Sequence, residues 1–146
     1  MPVPSLPASA EPSVLQARLL GRAWIAVNDR LIEDGAWPPR GGRDLLLLLL
    51  ATPGHRLSRD QVLDSLWPGL SPDSARNAYY KALHSLRRTL EPGLQARQKG
   101  SFLRAETESL SLQPGTYKVD IDDFVRLLAS ARSSDDSANS ALLSAA

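Results

Sequence analysis

Residues Ser71 to Glu91 read SPDSARNAYYKALHSLRRTLE, and this stretch decides the fold because it predicts one long helix with two contrasting faces. Ser71 is a good N-cap, Pro72 suits the first helical position, and Pro92-Gly93 stops the pattern. At about 100° per residue, an apolar stripe wide enough to face a core falls on one side. The stripe consists of Ala75, Tyr79, Ala82, Leu83, Leu86 and Leu90.

The opposite face of this helix is polar, rich in hydrogen-bond donors and almost free of acidic side chains. Its centre lies within about 60° of arc, and three further residues flank it. On a lone helix, such a face is just as typical of a solvated surface, so its meaning depends on the rest of the chain. The central residues are Asn77, Lys81, His84 and Arg88, and the flanking ones are Tyr80, Ser85 and Arg87.

The net charge of +1 hides a strong asymmetry along the 146 residues. Residues 76–104 carry seven basic side chains and only one acidic side chain, Glu91. Residues 105–146 carry three basic and seven acidic side chains. A basic block confined to one helix and the residues after it is typical of a face that binds a polyanion.

Composition narrows the class and location of the protein. The absence of cysteine excludes disulfides and thiolate metal sites, and is compatible with a reducing, cytoplasmic compartment. Residues 1–13 contain four prolines and no basic start or apolar run, which predicts a disordered leader and no signal peptide. The six leucines at 45–50 fall far short of the roughly 20 apolar residues of a membrane span, so they predict a buried helix.

The first third of the chain predicts a small antiparallel sheet. Alternation over residues 14–20 and β-formers at 24–27 indicate strands, and Asn28-Asp29 is a two-residue turn into residues 30–32. A leucine-rich helix follows over about residues 40–52 and should be packed on more than one side.

The middle of the chain then predicts a short extended link at 55–57 and a second helix that begins at Ser58 with a capping box to Gln61. Pro68-Gly69 makes a tight turn into the basic helix, and residues 101–105 and 109–112 form a hairpin. Helix, helix, turn, long helix and hairpin is the order of a winged helix-turn-helix, in which the last helix enters the major groove. The fold class expected is therefore α+β: an N-terminal antiparallel sheet, three helices, a C-terminal hairpin wing and one short further helix.

Four sequence pieces, in the right order, carry a family resemblance: LWP at 66–68, ARN at 75–77, LHSLRRTLEP at 83–92 and VDIDDF at 119–124. The chain resembles the OmpR/PhoB-type winged helix and, more closely, the DNA-binding domain of SARP-like bacterial transcriptional activators, which normally precedes a helical BTAD domain. The resemblance covers roughly residues 14–130. It implies a winged-helix domain at 14–116 and a linker and first BTAD-like helix at 117–132. The composition of residues 133–146 predicts a disordered tail.

Three departures from the family pattern bear on function. Tyr79-Tyr80 stands where an aliphatic and then a basic residue are expected, so Tyr80 can replace a charged contact by stacking or a hydroxyl contact. Glu106 and Glu108 in the hairpin turn are poor neighbours for phosphate. The helical domain is nearly absent, so the chain is either a fragment of a longer regulator or a short regulator without an effector domain.

Each candidate DNA contact has solvent exposure as its alternative. Asn77 can bond adenine, while Lys81 or Arg88 can read guanine O6/N7 or bind phosphate. His84 is a donor whose charge depends on pH. Arg87 is expected to bind phosphate or to pair with an acid inside the domain. The complete set of expected DNA contacts is Asn77, Tyr80, Lys81, His84, Ser85, Arg87, Arg88, Arg97, Lys99 and Arg104, the last three as phosphate contacts.

The loop Pro68-Gly69-Leu70-Ser71 resembles the loop that faces RNA polymerase in OmpR-type proteins, although the sequence alone favours an ordinary tight turn. Catalysis has little support because the two histidines lie on different elements and no catalytic or nucleotide-binding motif occurs. The acids Asp120, Asp122 and Asp123 indicate a helix N-terminus more than a metal cage, so no cofactor or metal is expected.

The sequence therefore predicts a sequence-specific regulator of transcription that binds double-stranded DNA, and by resemblance an activator. The alternative is a winged helix without DNA binding that docks a protein partner through the long helix or the acidic C-terminal helix. The resemblance implies two protomers on direct-repeat DNA, monomeric or weakly associated off DNA, and no membrane partner.

Overall fold

The computed structural model of the protein describes residues 13–39, 41–95 and 98–145. Its fold is mixed α+β, with two sheets and four α-helices among the described residues. The strands are β1 Leu15–Arg18, β2 Trp24–Val27, β3 Arg30–Leu31, β4 Arg56–Ser58, β5 Leu103–Ala105, β6 Ser109–Leu112 and β7 Tyr117–Val119. The helices are α1 Gly42–Ala51, α2 Arg59–Leu66, α3 Pro72–Leu90 and α4 Asp120–Ser144.

The first sheet has the order β3-β2-β1-β7. β1, β2 and β3 are antiparallel neighbours, as predicted, and the turn at Asn28 and Asp29 has positive φ at both residues. Asn and Asp tolerate this left-handed conformation, which is why the hairpin forms without glycine. The fourth strand is a correction: Tyr117–Val119, predicted to begin a linker, pairs in parallel with β1 and belongs to the domain. A three-residue strand has no periodicity to reveal it, and only the fold brings it beside β1.

The leucine-rich helix α1 lies at the centre of the core. Leu45, Leu46, Leu49 and Leu50 are fully buried, and Leu47 and Leu48 are partly buried, so the helix is covered on nearly all sides as predicted. Gly42 allows α3 to approach closely, since a Cβ built on it would lie 3.1 Å from the backbone nitrogen of Leu86.

The second sheet has the order β4-β6-β5. β5 and β6 are the predicted hairpin, but residues 56–58 are not merely a link: they form β4 and pair with β6 in antiparallel register. Ser58 ends β4 and caps α2 with the predicted capping box, in which Ser58 and Gln61 exchange side-chain to backbone bonds. The hairpin is thereby tied to the start of α2.

The helix α3 has the two faces that the sequence predicts. Ser71 caps it by accepting the backbone N–H of Ser74, and Pro72 occupies its first turn. Its buried residues join α1 and both sheets in a single apolar core. They are Ala75, Tyr79, Ala82, Leu83, Ser85, Leu86 and Leu90.

The helix α4 corrects the predicted tail. A short helix and a disordered segment at 133–146 were expected, but the helix continues from Asp120 to Ser144. Alanine is the best helix former, and the hydroxyls of Ser133, Ser134 and Ser137 donate to carbonyls one turn earlier, so their donors are satisfied within the helix. The predicted leader lies outside the described residues except for Ser13. None of the described helices combines the length and apolarity needed to cross a membrane.

Candidate nucleic-acid interface

The outer face of α3 presents a cationic surface to solvent. Lys81 and Arg88 are exposed, and neither makes an ion pair with an acid of the described residues. Asn77 and His84 are exposed on the same face. We call this group, Asn77, Lys81, His84 and Arg88, the basic face. Its donors are available to an external acceptor because the structure gives its two cations no internal acid.

Ser85 is not part of that face, which corrects the sequence prediction. It is only 8% exposed, and a Cβ built on Gly42 would lie 3.2 Å from its Oγ. On a helical wheel Ser85 falls between the polar and apolar arcs, and the close approach of α1 at Gly42 places it inside. Ser85 therefore packs between helices and is not offered to DNA.

Arg87 is partly buried at the edge of the core. It makes no ion pair with an acid of the described residues, so the structure does not provide the internal partner that was one of its two predicted roles. Burial and the neighbouring Tyr80 raise the pKa of Tyr79. The positive charge of Arg87 acts in the opposite direction and lowers that pKa.

Tyr80 is held in place although it is 50% exposed. Its ring meets Tyr79 edge to face, with centroids 5.2 Å apart. The Tyr80 hydroxyl is the largest of the causes that raise the pKa of the neighbouring Arg59, and Glu108 contributes further. Sequence reasoning missed Arg59, since nothing in its local pattern indicates that the first residue of α2 reaches α3.

The hairpin turn carries two acids that are both paired with arginines. The Glu106 carboxylate lies 2.9 Å from Nε of Arg104 and 3.6 Å from Nη2 of Arg56. The Glu108 carboxylate lies 3.7 Å from Nη2 of Arg59. The neighbouring arginines therefore partly neutralise the acids that were expected to repel phosphate. Arg104, which was predicted as a phosphate contact, forms an ion pair with Glu106.

The connection from α3 to the hairpin is anchored at its end. The Glu91 carboxylate accepts the backbone N–H of Ser101 at 2.9 and 3.0 Å. Lys99, just before this anchor, is exposed. Arg97, another expected phosphate contact, lies outside the described residues.

The loop predicted to face polymerase is an exposed turn. All four of its residues are exposed, and Ser71 also caps α3. Leu70 is 48% exposed, yet its backbone N–H bonds the Trp67 carbonyl. Nothing in this geometry distinguishes a polymerase contact from an ordinary tight turn.

The acidic cluster at the start of α4 is used for internal bonding. Asp120 accepts the backbone N–H groups of Leu19 and Leu20 at 2.8 and 2.9 Å. Asp122 accepts from the buried His55. Among the described residues, no group of three or more acids, histidines or cysteines is arranged to hold a metal ion.

No family model, curated protein or solved structure matches this chain.

Proposed function

We propose that the protein is a winged-helix regulator of transcription that binds double-stranded DNA in a sequence-specific manner. The observation that supports this most directly is the basic face of α3, whose cations lack internal acids while the opposite side of the same helix is buried in the core. A helix of 19 residues is about 28 Å long, enough to lie across the major groove with several side chains at the bases.

The order of elements supports the winged-helix assignment. Two helices joined through β4 precede a turn and a long third helix, and an antiparallel hairpin follows and pairs back onto β4. In helix-turn-helix proteins, the second helix of the motif enters the major groove and the other elements contact the backbone. Residues 72–91 are thus the proposed recognition helix and the hairpin is the proposed wing.

The basic face offers several distinct donors and acceptors for base reading. Asn77 matches the bidentate pattern of adenine, and Lys81 or Arg88 matches guanine or phosphate. His84 is a donor at the centre of the face. Tyr80 adds an exposed ring, packed edge to face on Tyr79, that can stack or contact a sugar. This mixture of an amide, cations and an aromatic ring favours sequence reading over purely non-specific binding.

The hairpin is proposed to contribute less than α3. Its arginines already have carboxylate partners, so a phosphate must displace Glu106 or Glu108 from them. Two of the three ion pairs, Arg56–Glu106 and Arg104–Glu106, are at the surface, where ion pairs are weak, so the exchange there is feasible but adds little net affinity. Lys99 and Arg87 are the better candidates for phosphate contacts.

Activation of transcription, a polymerase contact through residues 68–71, and binding of two protomers to direct repeats are proposed from the family resemblance. They imply a bacterial, cytoplasmic regulator.

The test is a binding measurement on the full chain with fluorescent duplexes. A selection from random duplexes should yield a preferred sequence, and log K should fall with log salt concentration with a slope of about −4 to −5. A random duplex at low salt should bind measurably, because the non-specific term needs only the basic face.

A protein-interaction module is the second candidate, favoured by the exposed apolar side chains of α4, among them Phe124 and Leu128. Failure to bind any duplex at low salt would favour this candidate over DNA binding.

A further inference from the structure

The helix α4 is fixed to the domain only at its first turn. Asp120 bonds to the backbone that follows β1, Asp122 bonds to His55, and Ile121 packs against the core. After this turn, no described residue of α4 is buried. The helix thus extends away from the core as a rod whose sides are all open to solvent.

This rod carries a stripe with alternating spacings of three and four residues, which continues the line of Ile121. A repeat of three and four is the a/d pattern of helices that pair in a left-handed coiled coil. Its large members are exposed, Phe124 by 48% and Leu142 by 71%. We call this set the α4 stripe: Phe124, Leu128, Ala131, Asp135, Ala138 and Leu142.

The α4 stripe is symmetric about Ser133. Phe124 and Leu142 are equally far from this point along the chain, and so are Leu128 and Ala138, and Ala131 and Asp135. Two such helices, aligned antiparallel with Ser133 at the midpoint, therefore place Phe124 opposite Leu142 and Leu128 opposite Ala138 in the outer layers. We propose that two copies of this chain associate through α4 in this antiparallel, two-fold arrangement.

Charge decides the direction of pairing. In a parallel pair, Asp135 would face Asp135 of the second copy in the same core layer. In the antiparallel pair, Asp135 faces the small Ala131 of the second copy, with Arg132 of that copy beside it. Arg132 makes no ion pair with an acid of the described residues, so its guanidinium is available for this contact.

Asp135 also specifies the register. A polar residue at a single core position of a coiled coil lowers stability but disfavours alternative alignments. Here the carboxylate has an acceptable partner only in the symmetric register. In the antiparallel pair, the two helix dipoles also point in opposite directions, which is the favourable arrangement.

The pairing does not depend on DNA binding. A two-fold pair does not correspond to the head-to-tail order of protomers on a direct repeat, so it describes the assembly off DNA. Its failure would leave the proposed DNA binding untouched, and the test requires no DNA.

The first test is sedimentation of the full chain over a wide concentration range. The unmodified chain should show a concentration-dependent dimer. Leu128→Glu should weaken association at least about 100-fold, since each copy loses a buried leucine. Ser133→Glu, on the outer side of the same helix, is the matched control and should dimerise normally. Circular dichroism confirms that α4 remains helical in both variants.

The second test determines the direction and register of the paired α4 helices by disulfide crosslinking. The chain contains no cysteine, so only the introduced cysteines can react. A mixture of Leu128→Cys and Ala138→Cys chains should form the mixed crosslink under mild oxidation, while each variant alone should not. Self-crosslinking of a single variant at equal rate would overturn the antiparallel register. A helical chain that stays monomeric at all concentrations, or that binds only a different protein through α4, would overturn the pairing itself.

Discussion

The imidazole of buried His55 lies between two acceptors, with Nε2 at 2.7 Å from the Asp122 carboxylate and Nδ1 at 3.1 Å from the Leu49 carbonyl oxygen. His55 has a φ of +50°, and its ring meets Tyr117 edge to face at 5.0 Å. One side chain thus joins α1, the first sheet and α4.

Asp122→Asn should lower the free energy of unfolding by about 1–2 kcal/mol. The amide retains a hydrogen-bond acceptor but loses the negative charge that faces the His55 ring, and partial exposure of Asp122 moderates the loss. Asp123→Asn is the matched control, because Asp123 is exposed and contacts only Arg126 one turn along the helix. Urea unfolding measures both; equal effects of the two variants would contradict the role of the His55–Asp122 pair.

Asp120 predicts a loss of stability at acid pH. Partial burial opposes ionisation, but the backbone N–H groups of Leu19, Leu20 and Ile121 outweigh it and lower the pKa of Asp120. A lowered pKa in the folded state contributes stability above the unfolded value of about 3.9, and this contribution is lost as pH falls through the folded value.

The difference in unfolding free energy between the unmodified chain and Asp120→Asn should therefore be constant near neutrality and shrink below about pH 4. Asp64→Asn, on the exposed side of α2, provides the comparison. A difference that does not change with pH would show that the Asp120 charge is not what holds α4.

Gly42→Ala should destabilise the protein by about 1–3 kcal/mol, because the new methyl group would meet the backbone of α3. Gly35→Ala is the control, since a Cβ at Gly35 meets nothing within 4 Å. Thermal unfolding of both variants measures the effect. If Gly42→Ala were neutral, α1 and α3 would be less closely packed than described.

Lys81→Ala should weaken binding to the preferred duplex by about 1–3 kcal/mol if Lys81 reads a base, with little change on random duplex. If Lys81 contacts phosphate, the loss should be similar on all duplexes and the salt slope should become less steep by about 1. Lys118→Ala, another exposed lysine but on β7, should bind like the unmodified chain. Equal affinities for both variants on every duplex would exclude Lys81 from the interface.

Arg59→Ala and Tyr80→Phe should weaken binding to the preferred duplex in a non-additive way. Both remove the contact between the Arg59 side chain and the Tyr80 hydroxyl, so the double variant should lose less than the sum of the single losses. Arg88→Ala, two helical turns (about 12 Å) further along α3, should be additive with Tyr80→Phe. Additivity of Arg59→Ala and Tyr80→Phe would mean that Arg59 does not position the ring.

The sequence alone determined the elements whose signals are local. The N-cap of α3, the capping box at Ser58 and the turn at Asn28-Asp29 depend on residues within a few positions of one another, and the two faces of α3 follow from helical periodicity. These features persist in any packing of the chain, because short-range hydrogen bonds and the 3.6-residue period create them.

Only the tertiary structure decided the features that join distant residues. β7 becomes a strand because β1 lies beside it. Ser85 is buried because Gly42, at the start of α1, lets the two helices approach closely. Arg59 interacts with Tyr80 because α2 and α3 pack against each other. The pairing of Asp122 with His55 spans 67 residues. Such contacts depend on which surfaces pack together, and the local propensity of a segment does not determine this.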